Sequence, residues 1–152
     1  MEKELTRFFD TSLTNALRNL KEDSKAKWGT MTAKQMLIHL IQSSKMMHFG
    51  NNTLLIKEEY VEKAIAFLYT DKAIKKGLVV PNDIGFNFTN NNQDIEELKA
   101  ELINSSNNMI NFLTQNTEFK AIHPFFGELT AAQWSIFQRK HYSHHLNQFG
   151  LL

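Results

Sequence analysis

Cysteine is missing altogether from these 152 residues, and with it go disulfides, a thiolate nucleophile and every cysteine-based zinc site. Any metal must then be held by His, Asp or Glu. Proline is nearly missing as well: Pro81 and Pro124 are the two, and both lie between periodic stretches, so helices can run long. No run of about 18 apolar residues exists to span a bilayer. Neither sign of charge dominates, since 17 basic residues against 16 acidic ones leave +1. That balance offers no field to gather nucleic acid or an anionic membrane surface. The opening MEKELTRFFD lacks the apolar stretch of a secretory signal, so the expected compartment is cytoplasmic. There is no Gly-rich phosphate loop and no Ser-centred nucleophile elbow.

What is present is enough for a core. Apolar residues make up 42% and charged residues 22%, with twelve Phe, close to the globular average. One domain over residues 1–152 is expected at this length. A first helix is expected over about Lys3–Leu20, where Leu5, Phe9, Leu13, Ala16 and Leu20 form one apolar stripe. The charged segment Lys21–Lys27 reads as a loop leading into Trp28-Gly29. Thr32 and Gln35 then form a T-x-x-Q capping box, with Met31 and Met36 placed as a hydrophobic staple. This second helix is expected to run towards Met47 and stop at Gly50-Asn51-Asn52.

Glu58–Lys76 reads as a shorter helix with Val61, Ala64, Ile65 and Leu68 on one side. Gly77–Asn92, with VVPND and its Asn run, reads as an extended excursion. A long third helix spans about Asp94–Asn116, on the seam Ile95, Leu98, Leu102, Ser105, Met109 and Phe112. Thr130 and Gln133 repeat the capping box, with Leu129 and Trp134 as staple, and open a last helix over Ala131–Gln148 that Gly150 can end. The expected fold is all-α: a four-helix bundle with an irregular, partly helical insertion between helices two and three.

Half of the six histidines fall within KHYSHHLNQF. His141 and His145 stand one helical turn apart, about 40° around the axis, and can converge on one ion. His144 lies about 60° to the other side of His141 and competes for the role. Trp134, Phe137 and Gln148 share the arc of His141, so the pair points along the buried face. His39, at the rim of the second helix's apolar arc, supplies a third candidate ligand from a neighbouring helix. Three neutral imidazoles leave an ion with open positions, as in catalytic sites. The same residues also fit a hydrogen-bonded polar core without metal. Gln138, Gln148, Tyr142 and Ser43 are candidates to orient the ligand rings, by helical position. His123 precedes Pro124, which restricts it to extended backbone in a turn; the alternative is that it lines the way to the metal.

WGTMTAKQMLIHL (Trp28–Leu40) and HPFFGELTAAQWSIFQRKHYSHHLNQFG (His123–Gly150) resemble a branch of the DinB/YfiT-like superfamily. The resemblance implies an up-down-down-up bundle, commonly a homodimer. It implies a divalent metal, often zinc or nickel, on three histidines matching His39, His141 and His145, with His144 at an extra position typical of the branch. Characterised relatives of that superfamily include S-transferases dependent on a low-molecular-weight thiol and a maleylpyruvate isomerase. The expected function is therefore divalent-metal binding, with thiol S-transfer or hydrolysis on a small-molecule substrate. The alternative is a non-catalytic, metal-stabilised module that binds a small molecule or a protein.

Overall fold

The structure, a computed structural model, describes residues 2–48, 53–78, 87–88 and 92–152. The expected stop at Gly50-Asn51-Asn52 and the VVPND segment with Pro81 lie outside the described residues.

Helix α1 runs over residues 2–17 as Glu2–Arg7, a π-helical turn Phe8–Ser12, and Leu13–Leu17. In the π turn Leu13 N–H donates to Phe8 O, one residue beyond the α-helical partner. Each π residue turns less about the axis than in an α-helix. The turn leaves the adjacent Phe8 and Phe9 both buried, with Phe9 edge-on to Tyr142 at 5.2 Å.

Helix α2 (Ala33–Lys45) begins where its capping box requires, with Gln35 N–H donating to Thr32 Oγ1 at 3.1 Å and Thr32 N–H to Gln35 Oε1 at 3.0 Å. It tightens into a 3-10 turn over Met46–His48. Helix α3 (Val61–Leu68) is shorter than the expected Glu58–Lys76. It closes on Thr70, whose N–H and Oγ1 both turn back to Phe67 O at 3.1 and 2.8 Å, and beyond it Lys140 Nζ donates to the carbonyls of Thr70 and Lys72, at 2.6 and 2.7 Å. Helix α4 (Ile95–Gln115) opens on a third capping box, Asp94 with Glu97, which the expected start near Asp94 did not invoke.

The all-α expectation is wrong. Strands β1 (Lys120–His123) and β2 (Gly127–Thr130) pair antiparallel, from Lys120 opposite Thr130 to His123 opposite Gly127. Among the described residues the chain has five helices and this two-stranded sheet, so it is not a pure four-helix bundle. Pro124, Phe125 and Phe126 make the hairpin loop. Gly127, at φ 72°, takes the left-handed conformation that closes it. Four-residue strands are too short for alternation to reveal. The hairpin also aims the last helix, because Thr130 ends β2 and caps α5 (Ala131–Gln148) with its side chain.

Packing places α2 along α4, and α5 against α2, α3 and α4. Leu13, Leu37, Leu40, Leu98, Leu102, Trp134, Tyr142 and Leu146 are fully buried between them. Trp134 and Tyr142 keep their polar ends satisfied there, through Ala121 O and Leu40 O, both at 3.3 Å. No helix among the described residues is long and apolar enough to cross a membrane.

Candidate metal centre

Where α2 and α5 face each other, three imidazoles converge. His39 Nε2 lies 2.9 Å from His141 Nε2, and His145 Nε2 lies 3.2 Å from the same atom. The three candidate ligand atoms all fall within 4.8 Å of one another. The rings meet edge to face, with centroids 4.6–4.8 Å apart. Zinc–imidazole bonds of about 2.0–2.1 Å put neighbouring tetrahedral ligand atoms roughly 3.3 Å apart. Two of the three Nε2 separations are close to that edge, so the group could hold a metal ion.

The nitrogens turned away from the centre decide which protonation state each ring adopts. Gln138 Nε2 donates to Ser43 O at 2.9 Å, so its amide oxygen is left to accept from Ser43 Oγ at 3.2 Å. With its own proton committed, Ser43 Oγ accepts from His141 Nδ1 at 3.0 Å. His141 thus carries its proton on Nδ1 and presents a lone pair from Nε2. The second chain of bonds works alike. Gln148 Nε2 donates to Trp28 O at 2.9 Å, which leaves its oxygen to accept from His145 Nδ1 at 2.8 Å. A main-chain carbonyl only accepts, so neither glutamine amide can be turned over without setting oxygen against oxygen. Two imidazole lone pairs are therefore aimed at one point.

Burial keeps these rings neutral. It is the leading cause that lowers His39 from 6.5 to about 3, with the charges of His145 and His144 adding to it. It lowers His145 to about 4, against the opposing Gln148 hydrogen bond. His141 is pushed well below its ordinary value by burial, then by His145, His39, His123 and His144. Neutral imidazole is the ligand form.

His144 falls outside the group. Its ring packs edge-on against Trp28 and His145, with centroids at 5.7 and 5.0 Å. A bond to the Ile74 backbone partly offsets the burial that lowers its pKa. It lines a groove of about 1050 Å³ with Trp28, Tyr69, Ile136, Arg139 and Ser143. That groove follows the face of α5 opposite His141 and His145, by helical position, so it does not open onto the three Nε2 atoms.

His123 takes the turn role. It is the last residue of β1, and its Nδ1 accepts from Phe125 N–H at 3.1 Å. Of the four residues expected to orient the rings, Ser43, Gln138 and Gln148 do so, while Tyr142 bonds to Leu40 O instead. Helical position found the three glutamine and serine partners. It could not find Trp28, which reaches α5 from a loop 120 residues away.

The model of a family described as "Protein of unknown function (DUF1569)" matches residues 6–150. No curated protein and no solved structure matches the chain.

Proposed function

The chain belongs to the DUF1569 family, and since that family's function is unknown we propose, from the site itself, that this is a divalent-metal-binding protein. The observation that carries the reading is the convergence of the His39, His141 and His145 ring nitrogens within 4.8 Å, with Nε2 of His141 and His145 3.2 Å apart. A proton from His39 can serve one of them; a cation serves both. His39, His141 and His145 would hold the ion, while Ser43 and Gln148 orient the rings behind it. Three imidazoles suit zinc, nickel, iron or copper and leave a coordination position open. Among these, the resemblance of Trp28–Leu40 and His123–Gly150 to DinB/YfiT-like proteins favours zinc or nickel.

Held by His39, His141 and His145, such an ion would supply the Lewis acidity that lets water or a thiol ionise near neutral pH. On that ground we assign the centre to thiol S-transfer or hydrolysis on a small molecule, with a low-molecular-weight thiol as co-substrate in the first case. The resemblance also favours a homodimer. One observation favours a non-catalytic, metal-stabilised binding protein: the group of metal-capable side chains contains no carboxylate among the described residues, so no general base stands with the ligands.

Elemental analysis of untagged protein purified without chelator tests the reading. Near one ion per chain is expected, and it should be lost in His39→Ala, His141→Ala and His145→Ala. A wild-type protein that stays empty after zinc and nickel are added back contradicts it. Screening thiol-transfer and hydrolytic reactions with and without metal separates the two roles. In the non-catalytic case, removing metal lowers the melting temperature and abolishes no activity.

A further inference from the structure

Two distant pieces of chain meet at the end of α5. Lys27 N–H donates to Gln148 O at 2.7 Å, and Gln148 Nε2 donates to Trp28 O at 2.9 Å. Glycines make this approach sterically allowed from both sides. Gly29 has φ +77°, and a Cβ there would stand 2.8 Å from Gln148 Nε2. Gly150 has φ +69°, and a Cβ there would stand 2.6 Å from Lys27 Cε. Both positions have a left-handed backbone; at Gly29 a side chain would also meet the buried, doubly bonded Gln148 amide, whereas at Gly150 it would meet only the end of the exposed Lys27 chain. The turn is itself held from outside, with Lys76 Nζ over the Trp28 ring at 4.2 Å.

The Gln148 side chain is buried, and both ends of its amide are used, one on Trp28 O and one on His145 Nδ1. Compare the other chain of bonds. His141 is oriented by Ser43 and Gln138, which end on a carbonyl within α2. His145 is oriented by a bond that ends on a turn outside any helix. We propose that the Trp28-Gly29 turn is a positioning element of the metal centre: by fixing the Gln148 amide it sets which nitrogen of His145 faces the ion. This deepens the three-histidine reading and rests on it. Metal affinity then depends on how well this turn docks onto α5, and Gly29 is required for the site as well as for the turn.

The test uses zinc alone, titrated in competition with a chromophoric chelator, on wild type, Gln148→Leu, Gln148→Glu and Gly29→Ala, with His141→Ala as the site-less control. A nitrogen NMR spectrum of the histidine rings is taken on each metal-free protein. Losing the partner of a ligating histidine typically weakens metal binding about 10–100-fold. Gln148→Leu should fall in that range and Gly29→Ala near its lower end. Gln148→Glu keeps an acceptor for His145 Nδ1 but loses the donor to Trp28 O and sets oxygen against oxygen there, so it should recover only part of the affinity lost in Gln148→Leu. Without metal, His145 should change from a single Nδ1–H form to a mixture in Gln148→Leu and Gly29→Ala, while His141 stays as it is.

A seam with only a structural role would lower the melting temperature of both variants and leave zinc affinity within about twofold, well short of the usual loss, and the His145 form unchanged. That result overturns the proposal. If wild type itself binds no zinc, the metal reading falls, and the His145 form in Gly29→Ala, which leaves Gln148 in place, still decides whether the turn positions the ring.

Discussion

His123 and the His39, His141 and His145 group are two buried histidine regions of one molecule, with opposite wiring. His123 is 3% exposed, against 7% for His39 and His145. Burial lowers its pKa to about 3, as in His39. Its surroundings are aromatic: Phe126, Trp134 and Phe137 lie 4.9, 5.3 and 4.3 Å away by ring centroid. The difference lies in the outer nitrogen. His123 Nδ1 accepts from Phe125 N–H, so the ring proton is on Nε2, where no hydrogen-bond partner meets it among the described residues. His141 and His145 donate from Nδ1 and so face inward as acceptors. Phe137 stands between the two regions, stacked on His141 at 5.4 Å. Burial and a lowered pKa therefore do not make a histidine a ligand; the partner of its other nitrogen does.

The contrast breaks most sharply if His123 proves necessary for metal. His141→Ala should abolish zinc binding, whereas His123→Phe should leave it unchanged in the same titration. His123→Phe should instead lower stability by no more than about 1 kcal/mol in a denaturant melt, since Phe125 N–H loses its acceptor while the unpartnered His123 Nε2–H is removed with it. A second comparison uses acid. His39, His123 and His145 stay neutral in the fold down to about 3–4 but take protons near 6.5 when unfolded. The unfolded chain then binds more protons below 6.5, so stability present above that pH is lost as pH falls towards 3–4. Thermal melts of metal-free protein from pH 7 to 4 should fall steadily, and less steeply in His123→Phe.

A smaller effect is expected of Ser43→Ala, which removes the acceptor of His141 Nδ1 and should weaken zinc about tenfold. The smallest is expected of Thr130→Ala. It removes the cap of α5 and should reduce stability by about 1 kcal/mol while leaving zinc affinity unchanged.

Short-range chemistry was legible in the sequence, and most of what needs two distant segments was not. The capping boxes at Thr32 and Thr130 located two helix starts to the residue, and these helices carry all three candidate ligands. The spacing of His141 and His145 is a property of one helix, so it could be read directly. His39 needed a neighbouring helix to be assumed, and the packing of α2 against α5 supplies it. The hairpin was missed because each strand has four residues, with Lys, His, Gly and Glu among them. Beyond Leu68 the expected helix gives way to a segment held by Lys140, from the far end of the chain, through the carbonyls of Thr70 and Lys72, which no local pattern shows. The role of Trp28-Gly29 was hidden for the same reason, since its partner is Gln148.

The central claim is that the outer nitrogens decide which histidines can bind metal, and nitrogen NMR of the imidazole rings in metal-free protein tests it most directly. Nδ1–H is expected for His141 and His145 and Nε2–H for His123, with zinc then shifting His39, His141 and His145 and leaving His123 in place. Nε2–H on both His141 and His145, or a zinc response at His123 in their stead, would contradict it.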